Sequence, residues 1–193
     1  MNLILASGSP RRAELLERMG LAFTVRPANT EEILEPGLTP QQEVMNLSRQ
    51  KGEATALLSS PEDVILAADT VVVLDDQILG KPKDAEDAMK MLTALSGRSH
   101  LVLTGVTVIA GGKTTCLCEE TEVVFRTLSQ EEIRAYVATG EPMDKAGAYG
   151  IQGYAAMFIS AIRGDYYNVM GLPVCRTALA LREAGITILG ASR

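Results

Sequence analysis

Leu101-Val102-Leu103-Thr104-Gly105-Val106-Thr107-Val108-Ile109-Ala110, then Gly111-Gly112, then Thr114-Thr115-Cys116-Leu117-Cys118-Glu119-Glu120-Thr121-Glu122-Val123-Val124-Phe125, is the stretch that decides the fold class. Two runs rich in β-branched residues flank a Gly-Gly pair. Glycine supplies the positive φ that a two-residue turn demands, so this segment reads as an antiparallel hairpin. On either side of it, strand-like runs alternate with amphipathic helices, as in parallel α/β proteins. A hairpin inside such a pattern makes the sheet mixed.

Outward toward the N-terminus, Val64-Ile65-Leu66-Ala67-Ala68-Asp69-Thr70-Val71-Val72-Val73-Leu74 is a nearly unbroken strand signal, closed by the turn pair Asp75-Asp76. Leu3-Ile4-Leu5-Ala6 is a short buried strand. Ser9-Pro10 then caps a helix with apolar positions Leu15, Leu16 and Met19, stopped at Gly20. Thr39-Pro40-Gln41-Gln42 is a capping box, and the helix it opens carries the stripe Val44, Leu47, Ala54, Leu58. Asp84 caps a third helix that ends at Gly97. Ser129-Gln130-Glu131-Glu132 is a second capping box, whose helix ends near Thr139-Gly140. A glycine-rich loop over 145–153 leads into a strand predicted at 155–162, then a helix at 173–184 and a last strand at 186–189. The expectation is α/β, a mixed sheet with flanking helices, in one domain over 1–193.

Composition narrows the function. The 193 residues are 47% hydrophobic and 22% charged, enough apolar matter for a sizeable core. Lys plus Arg is 18 against 24 Asp plus Glu, a net charge of −6, which argues against wrapping a nucleic acid polymer but allows a small phosphate-bearing ligand. Cys116, Cys118 and Cys175 make neither a metal ladder nor an even disulfide set, and read as reduced small residues. A single histidine, His100, rules out His-rich zinc sites. The longest uncharged run, 146–162, is interrupted by Gly147, Gly150 and Gly153 and is no membrane span. The first arginines follow the apolar run rather than precede it, the reverse of a signal peptide. A soluble, cytoplasmic protein is expected.

Several charges break local rules. Arg11 and Arg12 sit in the first turn of a helix, where the dipole disfavours each cation by roughly 0.3–1 kcal/mol. They are either exposed surface arginines or holders of an anion beside Ser7-Gly8-Ser9. Lys51 falls on an apolar stripe and must reach water or meet a buried anion. Asp69 interrupts the most apolar strand of the chain and needs a cation, hydrogen-bond donors or a metal. Glu31-Glu32 with Asp69 offers oxygen ligands for a hard cation such as Mg²⁺. Lys81 adds a cation at a strand end, with no Walker motif around it. Cations for phosphates and carboxylates for a metal suit phosphate-ester hydrolysis.

The same residues carry a likeness. Ala6-Ser7-Gly8-Ser9-Pro10-Arg11-Arg12, Ala68-Asp69-Thr70, Gly80-Lys81-Pro82 and Ser96-Gly97-Arg98-Ser99-His100 closely resemble motifs of the Maf-like nucleotide pyrophosphatases. So do Asp144-Lys145-Ala146-Gly147-Ala148-Tyr149-Gly150-Ile151-Gln152-Gly153 and Tyr166-Tyr167-Asn168-Val169-Met170-Gly171-Leu172-Pro173, in family order. The resemblance implies a deep cleft in a fold similar to the inosine triphosphate pyrophosphatases, often a homodimer. It implies cleavage of a nucleoside triphosphate to monophosphate and pyrophosphate with Mg²⁺ or Mn²⁺. Asp69 matches the catalytic aspartate, Glu32 with Asp69 the metal side, and Arg12, Thr70 and Gln152 the specificity positions. Ser7, Ser9, Arg11, Lys51 and Lys81 match the phosphate side. The 145–153 motif is similar to the branch acting on dTTP and UTP, with 7-methyl-GTP or a nucleotide-binding regulator of division as alternatives. Ser48 and Gly52 stand where the family usually has alanine, which should loosen helix packing.

Overall fold

A computed structural model describes residues 1–27 and 33–190. The strands are β1 (Leu3–Leu5), β2 (Thr24–Val25), β3 (Val64–Leu74), β4 (Gln77–Leu79), β5 (Ser99–Ala110), β6 (Lys113–Phe125) and β7 (Ile159–Arg163). The helices are α1 (Pro10–Arg18), α2 (Pro40–Ala56), α3 (Ala85–Leu95), α4 (Gln130–Ala138), α5 (Tyr166–Met170) and α6 (Val174–Glu183). All seven strands join one sheet in the order β2-β1-β3-β5-β6-β7, with β4 also paired to β3. β1 runs parallel to β2 and β3, while β3–β4 and β6–β7 are antiparallel, so the sheet is mixed as expected. No described helix is long and apolar enough to cross a membrane. The three cysteines form no disulfide.

The chain divides into two compact units, one of Met1–Asp69, Thr104–Glu119 and Gly171–Arg193, the other of Thr70–Leu103 and Glu120–Met170. In the first, Ile4, Ala6, Ile65 and Ala67 form an apolar cluster with Ala56 and Ile109 against it. α2 opens with the expected capping box, Thr39 and Gln42 each bonding the other's backbone. Its buried face differs from the predicted stripe. The helix stops at Ala56, so Leu58 lies beyond it and is 65% exposed. Ser48 and Gly52, expected to loosen the packing, are both on the buried face. Ser48 Oγ shares a 2.8 Å hydrogen bond with Thr107, and a Cβ on Gly52 would lie 3.3 Å from Ile109. Small residues let the helix backbone come down onto the sheet. The limit is Gly105 of β5, where an added Cβ would stand 2.3 Å from the Val44 carbonyl oxygen.

In the second unit α3 and α4 cover a core that includes Val72, Leu92, Val102, Phe125 and Ile133. His100 is sunk in it, edge-on to Phe125 and Tyr149 at ring distances of 5.1 and 5.3 Å, with Nε2 2.7 Å from the Tyr149 hydroxyl. Burial pushes its pKa down from 6.5 to about 4. Below pH 6.5 the unfolded chain binds a proton that the folded chain refuses until about pH 4. Stability is therefore expected to fall as pH drops through that window, by up to about 3 kcal/mol, and His100→Gln to flatten the slope. Urea unfolding of both proteins between pH 4 and 7 checks this, and parallel slopes would assign the acid lability to other groups.

Two expected strands are corrected. Residues 155–158 belong to a 3-10 turn, Tyr154–Phe158, and β7 starts only at Ile159. The amide of Tyr154 is taken by the Glu141 carboxylate and that of Ala156 by the Gly153 carbonyl, which leaves neither for a ladder. At 186–189 only Ile188 makes a bridge, because positive φ at Leu189 and Gly190 turns the chain away. β2, β4 and α5 were not anticipated, being too short to show a period.

Candidate active site

In the first unit the parallel register places the site. The last paired positions are Leu5 on β1 and Leu66 on β3, and Ala6 still donates to the Leu66 carbonyl at 2.8 Å. Three residues further along each chain stand Gly8, in the turn before α1, and Asp69. Ligands of parallel α/β sheets gather at such carboxyl ends, where loops emerge side by side.

Ser7 is buried in that turn, and its Oγ accepts from Arg12 Nη1 at 3.0 Å and from the Ser9 amide at 3.2 Å. Ser9 occupies the N-cap of α1, yet its side chain makes no capping bond and the first turn holds no acidic residue. The first turn of α1, where backbone amides lack helical partners and the dipole is positive, thus carries two arginines and no acidic residue. Arg12 is clamped further by Nε donating to the Gly171 carbonyl at 2.8 Å, which brings in the predicted 166–173 motif. Burial lowers the Arg12 pKa from its ordinary value, the Asp69 carboxylate opposes that shift, and the neighbouring Arg11 charge adds to it.

Lys51 does not reach for water. Its ammonium forms an ion pair with Asp69 Oδ1, both side chains being mostly buried. Of the two openings left by the sequence, Lys51 thus meets an anion, and Asp69 finds a cation. One position earlier on α2, Gln50 grips the Ile33 backbone at both ends, accepting from its amide at 3.1 Å and donating to its carbonyl at 2.8 Å. Glu31 and Glu32, and with them the predicted metal-side carboxylate, lie outside the described residues. Among the described residues no three His, Cys, Asp or Glu side chains form a metal cluster. A hard divalent cation keeps several waters and takes phosphate oxygens, so one or two carboxylates suffice, and the Asp69 oxygen donor fits that demand.

The second unit carries Thr70, Lys81 and Gln152. Thr70 follows Asp69 on β3 and is half-buried, whereas Lys81 and Gln152 are exposed. The Gly147 amide donates to the Gly80 carbonyl at 3.0 Å, which ties the Gly80-Lys81-Pro82 segment to the glycine-rich loop. Two residues that the sequence did not single out, Tyr136 and Glu141, hold that loop: Tyr136 Oη donates to Glu141 at 2.9 Å and accepts from the Gly150 amide at 3.3 Å. The motif before the glycines, Glu141-Pro142-Met143-Asp144, offers no periodic or charge signal that would have marked them.

The profile of a family described as Maf-like protein matches residues 2–184. A dTTP/UTP pyrophosphatase from Anaeromyxobacter dehalogenans is 51% identical over 190 residues, covering 96% of this chain and 95% of its own. One from Bacillus pumilus is 47% identical over 185 residues, covering 96% and 97%. Among solved structures, that of a HAM1 protein from Coxiella burnetii is 17% identical, with a TM-score of 0.50 over 95% of this chain and all of that one. The last likeness bears on the fold alone, and it agrees with the mixed α/β architecture that was expected.

Proposed function

The chain belongs to the Maf-like family, and from that premise we propose that it is a nucleoside triphosphate pyrophosphatase that cleaves dTTP and UTP to the monophosphate and pyrophosphate. The observation that carries this reading is near-full-length identity, 51% over 190 residues, to a relative named for that activity. The local chemistry of the first unit agrees with it: a carboxylate paired with Lys51 and close to Arg12, with Arg11 next to Arg12, and a helix N-terminus without a side-chain cap.

In this reaction a water oxygen bonds to the α-phosphorus, the bond from that phosphorus to the α–β bridging oxygen breaks, and pyrophosphate leaves. The proton of the attacking water passes to Asp69. Arg11, Arg12 and Lys51 hold and neutralise phosphate oxygens, and Ser7 keeps the Arg12 guanidinium in place. A divalent cation, Mg²⁺ or Mn²⁺, held by Asp69 and Glu32, would supply further charge neutralisation on the phosphates when bound. In the second unit Lys81 adds a phosphate-side cation and Gln152 reads the base. The carboxamide donates to one pyrimidine atom and accepts from its neighbour, matching O4 and N3–H of uracil and thymine. Within this reading the protein works in the cytoplasm as a homodimer, on free nucleotides rather than nucleic acid polymers.

Product analysis tests the function directly. With UTP or dTTP and Mg²⁺, the expected products are monophosphate and pyrophosphate, and chelation of the metal stops their release. Orthophosphate with a nucleoside diphosphate would overturn the assignment of the cleaved bond. A preference for 7-methyl-GTP over both pyrimidines would overturn the substrate.

Lys51→Met separates a phosphate-holding lysine from a merely structural ion pair. Methionine keeps helix propensity and bulk, and Arg12 remains to face Asp69. The expected result is a loss of about 10–100-fold in kcat/KM, the scale of one charged hydrogen bond of about 1–3 kcal/mol, with little change in thermal midpoint. Unchanged kinetics in a folded variant would remove Lys51 from the site.

A further inference from the structure

Gln152 is exposed, yet the backbone on both sides of it is held in place. Two residues before it, the Gly150 amide donates to Tyr136 Oη at 3.3 Å; two residues after it, the Tyr154 amide donates to Glu141 Oε2 at 3.0 Å. The two acceptors are themselves joined, Tyr136 Oη donating to Glu141 Oε1 at 2.9 Å. One phenol and one carboxylate thus close a ring of hydrogen bonds around a five-residue segment with Gln152 at its middle. The ring is close-fitting. A Cβ on Gly153 would lie 2.2 Å from the Glu141 carboxylate, and one on Gly150 would lie 2.7 Å from the Lys145 stem, whose ammonium donates to the Glu141 carbonyl at 2.7 Å.

The anchor of this ring is rigid. Tyr136 belongs to the buried face of α4, is 3% exposed, and packs edge-on against Phe158 at 5.2 Å. Burial and the Glu141 charge both raise its pKa, so its hydroxyl keeps the proton that it donates and presents a lone pair to Gly150. A surface loop needs no such fixing to satisfy its amides, since water would serve. Fixing matters if the side chain between the two anchors must meet a planar ligand edge at a defined angle, because a loosely held donor–acceptor pair discriminates poorly.

We propose that Glu141 and Tyr136 are the positioning pair for Gln152, setting the preference for uracil and thymine over cytosine by stapling the backbone on either side of the reading side chain. The proposal rests on Gln152 being the base-reading residue. Cytosine is the informative competitor, since it replaces the O4 acceptor by an amino donor and the N3–H donor by an acceptor. A side chain locked in one orientation tells the two apart. One free to turn its amide by half a revolution accepts both.

The test compares kcat and KM for UTP and CTP in the wild type, Glu141→Ala, Glu141→Gln, Tyr136→Phe and Gln152→Ala, with the double variant Glu141→Ala/Gln152→Ala. Glu141→Ala should lower the UTP-over-CTP ratio of kcat/KM about tenfold, mostly through KM for UTP, while kcat changes less than about threefold. Glu141→Gln, whose amide can still accept from Tyr154 and pair with Tyr136, should restore most of the preference. Adding Gln152→Ala to Glu141→Ala should cost no further preference, as residues acting through one another are not additive. If Gln152→Ala loses the preference while Glu141→Ala and Tyr136→Phe keep it, or if the double variant loses the sum of both effects, the staple is overturned and base reading stands. If Gln152→Ala itself keeps the preference, base reading falls and the staple with it. Should Glu141→Ala fail to fold, Tyr136→Phe decides by the same ratio, a wild-type preference overturning the proposal.

Discussion

Asp69→Asn should lower turnover of UTP and dTTP by on the order of 10²–10⁴-fold, the range for loss of a positioned proton acceptor, while leaving the fold intact. Asparagine has the shape of aspartate, so β3 keeps its ladder and the side chain keeps its place between strand and helix. What changes is charge. The amide cannot take the proton of the attacking water, gives Lys51 no anion to pair with, and leaves the Arg12 guanidinium without the carboxylate that opposes its desolvation. With Lys51 and Arg12 both near, the variant should still bind triphosphate, and more tightly if anything, because a negative charge has been removed from a site for anions. The signature is therefore a collapse in kcat with KM unchanged or lower. Steady-state rates beside a thermal melt settle it: a folded Asp69→Asn within about tenfold of wild-type kcat would return Asp69 to a structural role.

Gly105→Ala should be the most damaging single methyl group in the first unit, destabilising by about 3 kcal/mol or more, the upper end for overpacking. The new Cβ would sit 2.3 Å from the Val44 oxygen and 2.9 Å from the Met45 nitrogen. Both are backbone atoms in the first turns of α2, so no side chain can swing aside and the helix must lift off β5. Lifting it breaks the Ser48–Thr107 hydrogen bond and displaces Lys51 from Asp69, so activity should fall with stability. Gly52→Ala on the same helix is the control. Its Cβ would meet only side-chain carbons, 3.3–3.4 Å away, and alanine gains about 1 kcal/mol of helix propensity, so the net change should be small. Urea unfolding of the two variants makes the comparison, and equal midpoints would mean that the helix does not rest on Gly105 as described.

Local rules made much of this legible beforehand. The capping boxes at Thr39 and Ser129, the Gly111-Gly112 hairpin and the long β3 strand each depend on neighbours a few residues apart, and each folds as its residues indicate. Lys51 and Asp69 stood out as charges in apolar company, and a charge so placed must find a partner; here each is the other's. Contacts made at long range were not legible. Nothing near Gly105 in the chain says that a helix backbone sixty residues earlier will press on it. The segment from Ala155 reads as a strand until the Tyr154 amide just before it is seen to go to the Glu141 carboxylate, 13 residues back. Leu58 falls on the apolar stripe in the sequence because periodicity carries no information on where a helix stops, and here it stops two residues sooner.

The margins of the sheet have a consequence for behaviour in crowded solution. An edge strand offers unpaired amides to any neighbouring chain, and a long flat one invites stacking into fibres. In the first unit the margin strand β2 is two residues long. In the second, β4 has three residues and β7 five, and the β6–β7 pairing carries a register shift at Val124/Phe125 that kinks its outline. β7 pairs with β6 only from Glu122 onward, and on the stretch before it Arg176 occupies the Cys118 carbonyl at 2.7 Å and pairs with Glu119. Each margin is short, bent or occupied by a guanidinium, so a protein built largely on β-branched strands presents few places where a second molecule could extend the ladder and begin to precipitate.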